Sequence, residues 1–279
     1  MRAETIHVVL VGGQSNANGR ADPAGLPANL QSAQSDVLFY SNYSGGLSTL
    51  RPNGSTSQFG PEITLGRSMA DYYEASGQKV AVLKYAVGGT NLYSQWAAGG
   101  TSGTTGDGSV YASFQSTINA GLHALTIANP TATIVIDGMV WMQGESDAAD
   151  ATNSSAYGTN LIAFIRDIRL TYGANLPFVI GELSVNQTGT GLAVYRNNVR
   201  SGQASVGSSV VYTSLVNTDS FELKSDNLHF DAIGQQALGN AFASSLRNLM
   251  AIPEASSYAA IFSVLTLGFT VRRRRGKQE

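Results

Sequence analysis

The sequence predicts an α/β fold built on a doubly wound, mainly parallel sheet, and three observations carry that expectation. Six β-rich apolar runs recur along the chain, helical patterns with one apolar face stand between them, and polar glycine-rich segments follow several of the runs. Regular alternation of strand and helix is the mark of layered α/β domains.

The runs are "IHVVLV" (6–11), "VLFY" (37–40), "VAVLKY" (80–85), "TIVIDGMVWM" (133–142), "PFVIGEL" (177–183) and "VVYTSLV" (210–216). Their near-continuous hydrophobicity suits strands covered on both faces. Between them, "FGPEITLGRSMADYY" (59–73) carries Pro61 near a first helical turn. Val110, Phe114, Ile118, Leu122 and Leu125 form one apolar stripe, and Tyr157, Leu161, Phe164, Ile168 and Tyr172 form another. A last helix is expected from Asp231 to Met250. Stretches 41–60 and 97–109, rich in Gly, Ser, Thr and Asn, have no period and read as lids, rims or surface loops.

A chain of 279 residues allows one large domain, assigned to 1–250, and a compositionally distinct tail, 251–279. The net charge of −2 and the lack of a basic stripe before residue 272 argue against a nucleic-acid partner. Absence of cysteine excludes disulfides, thiolate metal sites and a cysteine nucleophile. Histidine occurs only at His7, His123 and His229, without metal-ligand spacing, so no catalytic metal is expected; no cofactor is expected either. His7 lies in the first strand and reads as a packed or edge residue; His123 lies within a helix.

In the tail, 16 uncharged residues from Ser256 to Val271 run directly into Arg272–Arg275. That is just short of the roughly 17–25 residues that span a bilayer, and the arginines would stay on the cytoplasmic side. The segment resembles the PEP-CTERM sorting signal, with "PEA" (253–255) in place of Pro-Glu-Pro. The resemblance implies export to the cell envelope or beyond, with membrane contact through 256–275 before processing. No signal peptide is legible ahead of the first strand. Either the start is trimmed or misassigned, or the tail is not a sorting signal.

Ligands of doubly wound sheets bind where the loops leave the carboxyl ends of the strands. After the first strand, "GGQSN" (12–16) exposes Ser15 on a sharp turn, as a nucleophile or as a helix cap. It lacks the glycine spacing of either nucleotide-binding motif. "YAVGGTNL" (85–92) offers backbone N–H groups at Gly88 and Gly89. "WMQGESD" (141–147) ends the longest apolar run in polar residues, and an amide there, Gln143, can donate to an oxyanion. In "SDNLHFDAIG" (225–234), Asp226 and His229 are three residues apart, so the carboxylate can hold one imidazole nitrogen while the other faces outward. Asp231 reads as the cap of the helix that follows.

Together, "GQSN", "FGPE", "GGT", "WMQGESD" and "DNLH" resemble the SGNH-hydrolase superfamily, and more closely its sialate O-acetylesterase and acetylxylan esterase branch, carbohydrate esterase family 6. The resemblance covers residues 6 to 248. It implies a flavodoxin-like three-layer sandwich with a mainly parallel five-stranded sheet, and metal-free hydrolysis of acetyl esters on carbohydrates by a Ser-His-Asp triad. Carried onto this chain, the triad is Ser15, His229 and Asp226. The oxyanion donors are Ser15, Gly88 or Gly89, and Gln143, which stands where the wider superfamily has asparagine. Gln14, Glu145 and Asn91 are expected to support these loops; Asn91, Tyr93 and Trp96 could face a sugar ring, with core packing equally open for Trp96. Two other readings compete: an esterase for a different acyl ester, and a non-catalytic carbohydrate-binding envelope protein on the same fold.

Overall fold

The computed structural model describes residues 4–52 and 57–252. The tail expected to contact a membrane, including 256–275, lies outside the described residues, and no described helix is long and apolar enough to cross a bilayer.

Seven strands form one sheet: β1 (Thr5–Gly13), β2 (Gln34–Ser41), β3 (Ser48–Leu50), β4 (Lys79–Ala86), β5 (Thr133–Met142), β6 (Phe178–Gly181) and β7 (Thr213–Val216). Their order is β3-β2-β4-β1-β5-β6-β7. All neighbours run parallel except β3, which pairs antiparallel with β2. All six apolar runs become strands. The expected count of five is corrected to seven, because the sheet extends to β7 at one edge and gains β3 at the other. With only three residues, β3 is too short to display a period.

The helices are α1 (Ser15–Asn18), α2 (Glu62–Tyr73), α3 (Ser109–Ala128), α4 (Ala151–Tyr172), α5 (Arg196–Ser209) and α6 (Ala232–Met250). Strand alternation assigns them to layers. Gly66 of α2 packs on Val37 and Val82, whereas Gly121 of α3 packs on Tyr40 and Leu83, side chains of opposite parity in β2 and β4. α6 joins α2 on the first face, and α4, which carries α5, joins α3 on the second. α5 escapes sequence reading because "RNNVRSGQASVGSS" buries only Val199, Gln203 and Val206.

The second interface is aromatic. Trp96 and Trp141 meet edge to face at 4.9 Å between centroids, and Trp141 lies 4.6 Å from Phe164. Trp96 is fully buried, and its Nε1 donates to Thr90 Oγ1 at 2.9 Å, so it belongs to the core and not to a sugar platform. The glycine-rich stretch after it is pinned by carboxylates: Gly99 N–H donates to Asp107 at 2.6 Å and Gly100 N–H to Asp167 at 2.7 Å.

Strand β1 occupies the position where the order reverses, between β4 and β5. The crevice beyond its carboxyl end is therefore walled by the loops after β1, β4 and β5. These carry Ser15, Gly88–Gly89 and Gln143–Glu145 respectively.

Candidate active site

Ser15 is the first residue of α1, reached through Gly13, whose φ is +137°. A Cβ on Gly13 would stand 2.0 Å from Met142 O, so only glycine lets β1 turn this tightly beside β5. Gln14 N–H donates to Met142 O at 3.0 Å, which locks the turn to the neighbouring strand. The serine is left at the pocket with its own N–H free, as the first turn of a helix requires.

Gly88 and Gly89 face it from the loop after β4. Gly89 has φ +75°, a left-handed conformation suited to glycine, and space for a ligand beside it. Among the described residues, no protein acceptor engages the N–H of Ser15, Gly88 or Gly89. These three are the donors available to an oxyanion.

The third wall is the loop 224–231. Asp226 Oδ2 takes the Nδ1 hydrogen of His229 at 2.8 Å, and Asp226 Oδ1 accepts the N–H groups of Leu228 and His229, both at 2.9 Å. Between them Asn227 adopts φ +49°, a conformation asparagine tolerates, and its carbonyl accepts from Thr188 and Gly189. Burial would raise the Asp226 carboxyl, but the hydrogen bonds and charge of His229 outweigh it and hold the carboxyl below its ordinary value. Asp231 caps α6 by accepting from Gly234 N–H at 2.8 Å, as its place in the sequence suggests.

Ser15, Gly88, Gly89, Glu145 and His229 line one pocket of about 690 Å³. Ser15 and His229 share it without a hydrogen bond between them.

Gln143 departs from expectation. Its side chain is fully buried and absent from the pocket lining. Its Nε2 donates to Asp147 Oδ2 at 2.6 Å and Thr90 O at 3.0 Å, with Gln14 Oε1 at 3.2 Å. An amide nitrogen has two hydrogens, so none is left for an oxyanion. The expected donor role is corrected to a bracing one. Asp147, also fully buried, accepts from Leu92 and Tyr93 N–H, so the Gln143–Asp147 pair ties the loop after β5 to the loop after β4. Burial drives the Asp147 carboxyl upward against these bonds.

The supporting residues divide. Gln14 Oε1 also accepts from Ser146 N–H at 3.2 Å, and Glu145 Oε1 accepts from Asn16 Nδ2 at 2.7 Å. Burial pushes the Glu145 carboxyl above its ordinary value. Asn91 lies off the pocket, where its Oδ1 accepts from Ser94 and Gln95 N–H in its own turn. Tyr93 is exposed and also off the lining. The aromatic residue in the pocket wall is Tyr43, from the unpatterned stretch after β2.

Asn16 and Gln187 are site residues that sequence reading missed. Asn16 Nδ2 also donates to Leu228 O at 3.1 Å, and its Oδ1 accepts from Phe230 N–H at 2.9 Å. Gln187 Nε2 donates to Leu228 O at 2.7 Å. The Asn16 bonds anchor the histidine loop to the serine turn, and the Gln187 bond anchors it to the loop after β6. The available signal was the place of Asn16 inside "GQSN", next to Ser15.

Beneath the serine turn, Lys84 is fully buried. Its Nζ donates to Glu62 Oε2 and Asn18 O, both at 2.7 Å. Burial lowers the Lys84 ammonium pKa, and Glu62 opposes the effect. This bond explains the glutamate of "FGPE": it neutralises a cation that holds the end of α1.

The fold is a mainly parallel, doubly wound α/β sheet with a pocket where the strand order reverses. Residues 5–248 match the family described as "Carbohydrate esterase, sialic acid-specific acetylesterase", and the chain belongs to that family. A probable carbohydrate esterase of Arabidopsis thaliana is 32% identical over 109 residues, a stretch that covers 39% of this chain and 39% of that protein. The solved structure of an Arabidopsis thaliana protein matches with a TM-score of 0.69 at 21% identity, over 87% of this chain and 98% of that one. NanS matches with a TM-score of 0.59 at 13% identity, over 89% and 98% of the two chains. A carbohydrate acetylesterase from Xanthomonas citri gives 0.56 at 18%, over 87% and 56%. At these identities the structural likeness is one of fold.

Proposed function

We propose that the chain is a serine esterase that removes O-acetyl groups from carbohydrates through an acyl-enzyme on Ser15. The observation that carries this reading is the Asp226–His229 pair, bonded at 2.8 Å, in the same pocket as Ser15 and two loops with free N–H groups. With Nδ1–H held by Asp226, the neutral imidazole presents Nε2 as a base.

Nε2 takes the Ser15 hydroxyl proton as Oγ attacks the acetyl carbonyl. The negative charge that develops on the carbonyl oxygen is received by the N–H of Ser15 and of Gly88 or Gly89, each donor contributing about 3 kcal/mol in the transition state. Collapse returns the proton from His229 to the departing sugar oxygen. Water then attacks the acetyl-serine with His229 again as base, releasing acetate and restoring Ser15.

The test compares wild type with Ser15→Ala on 4-nitrophenyl acetate and on acetylated xylan. The reading expects acetate release from both, and a loss of at least about 10⁴-fold in kcat for the variant. Equal rates would overturn the triad, and activity on the small ester without activity on acetylated xylan would exclude xylan as the substrate. Export to the cell envelope belongs to the same proposal and rests on residues 251–279 alone. Fractionation of cells expressing the chain with and without that segment tests it, and an identical distribution would remove it.

A further inference from the structure

We propose that Tyr43 is the platform on which the sugar ring of the substrate stacks, so that it separates an acetylated sugar from a simple acetate ester; this rests on the esterase reading above. Tyr43 follows β2 and lines the pocket with Ser15, Gly88, Gly89 and His229. It stands at the rim, 47% exposed.

A single exposed apolar side chain is ordinary, and the case lies in how this one is held. Ser41 closes β2, and its Oγ accepts from Tyr43 N–H at 3.2 Å. Ser44 Oγ accepts from Ser41 N–H at 2.8 Å and donates to Gly46 O at 2.9 Å, while Ser44 N–H donates to Ser41 O at 3.2 Å. Two serine hydroxyls thus fix the turn that presents Tyr43.

The ring on that turn has no partner of its own. Among the described residues it meets no aromatic ring or cation, and its hydroxyl makes no hydrogen bond. Tyr72, also exposed, is engaged: it meets Tyr73 edge to face at 4.8 Å and lies 5.8 Å from the Arg247 guanidinium. Tyr93, 45% exposed, likewise lacks a ring partner but stands off the pocket lining. Of these three tyrosines, Tyr43 combines an unengaged ring with a place in the pocket wall.

A pyranose has C–H faces and an edge of polar substituents. One face laid on a tyrosine removes apolar area of both from water and asks no hydrogen bond of the ring. Arg20 and Ser146 line the same pocket and offer polar groups to the edge. A wall for the two-carbon acyl group would be shut from water beside Ser15, whereas a ring about half exposed suits the part of the ligand that reaches solvent, which is the sugar. Because the turn is already fixed, little ordering of the chain is needed on binding.

The experiment follows glucose pentaacetate, which carries a sugar ring, and ethyl acetate, which carries none. Tyr43→Ala should raise KM for the sugar ester about tenfold relative to KM for ethyl acetate, with kcat for the sugar ester little changed, as loss of binding shared by ground and transition states requires. Tyr43→Phe and Tyr43→Trp should keep the wild-type ratio, since the ring and not the hydroxyl acts. Tyr93→Ala, a similarly exposed tyrosine off the lining, should also keep it. Calorimetric titration of glucose pentaacetate into the Ser15→Ala protein should weaken about tenfold when Tyr43→Ala is added. The proposal is overturned if the two KM values move together, if Tyr43→Phe is as damaging as Tyr43→Ala, or if binding to the Ser15→Ala protein is absent or indifferent to Tyr43. A gain of ethyl butyrate over ethyl acetate hydrolysis in Tyr43→Ala would make the ring an acyl wall and overturn it as well. Binding that depends on Tyr43, with no acetate ester hydrolysed by the wild type, would keep the platform and sink the esterase reading; hydrolysis indifferent to Tyr43 would do the reverse.

Discussion

Asp226 holds His229 at two points: Oδ2 takes the imidazole Nδ1 hydrogen at 2.8 Å, and Oδ1 takes the backbone N–H at 2.9 Å. One carboxylate thus sets both the ring tautomer and the course of the chain that carries the ring. Three residues of separation suffice because Asn227 turns the backbone back with its positive φ.

Asp226→Asn should lower kcat by about 10³–10⁴-fold, because the amide favours the wrong tautomer and cannot stabilise the imidazolium. The fold should persist, since the amide oxygen can still accept from Leu228 and His229 N–H. Rates on 4-nitrophenyl acetate with circular dichroism check both halves. A fall of less than tenfold would remove Asp226 from the triad.

Gln143→Ala should destabilise the protein by about 1–3 kcal/mol, because it strips Asp147 of its 2.6 Å donor inside a dry region. Denaturant midpoints at constant slope measure the loss. A variant that is slow but unchanged in stability would return Gln143 to the oxyanion.

Lys84→Met should cost about 3–5 kcal/mol, since Glu62 would be left as a buried charge without its partner. Adding Glu62→Gln should recover much of that loss while keeping an acceptor for Gly60 N–H. Additive losses in the double-mutant cycle would show that the two groups do not act as a pair.

His7 supplies a pH signature outside the pocket lining. It stacks on Tyr73 at 3.7 Å, with Nδ1 on Asp137 at 2.8 Å and Nε2 on Gln78 Oε1 at 2.5 Å. Burial lowers its pKa, but the hydrogen bond and charge of Asp137, with Gln78, overcome this and raise it above 6.5. A raised folded-state pKa means the stabilisation is full below about 6.5 and is lost as pH rises through the folded value. The Tm advantage of wild type over His7→Gln should therefore be largest in mild acid and shrink toward alkaline pH. An advantage that grows with pH would contradict the assignment.

Much of this molecule is legible in order of residues. Strands covered on both faces must be apolar throughout, so β1, β2 and β4–β7 announce themselves. An Asp–His pair three apart is a local geometry, so the Asp226–His229 bond is legible from spacing, and the glycines of "GGQSN" mark the sharp turn that brings Ser15 to the same pocket. The six runs also place each motif after a strand, where ligands of such sheets bind.

What needed the tertiary structure was the direction and partner of each polar side chain. Gln143 meets Gln14 across 129 residues, Asn16 reaches Phe230 across 214, and Lys84 reaches Asn18 across 66. Trp96 belongs to the core because Trp141 and Phe164 close around it. Periodicity records which face of an element is apolar. A hydrogen bond depends on what packing brings opposite a side chain once that face is buried, and spacing along the chain carries no trace of it.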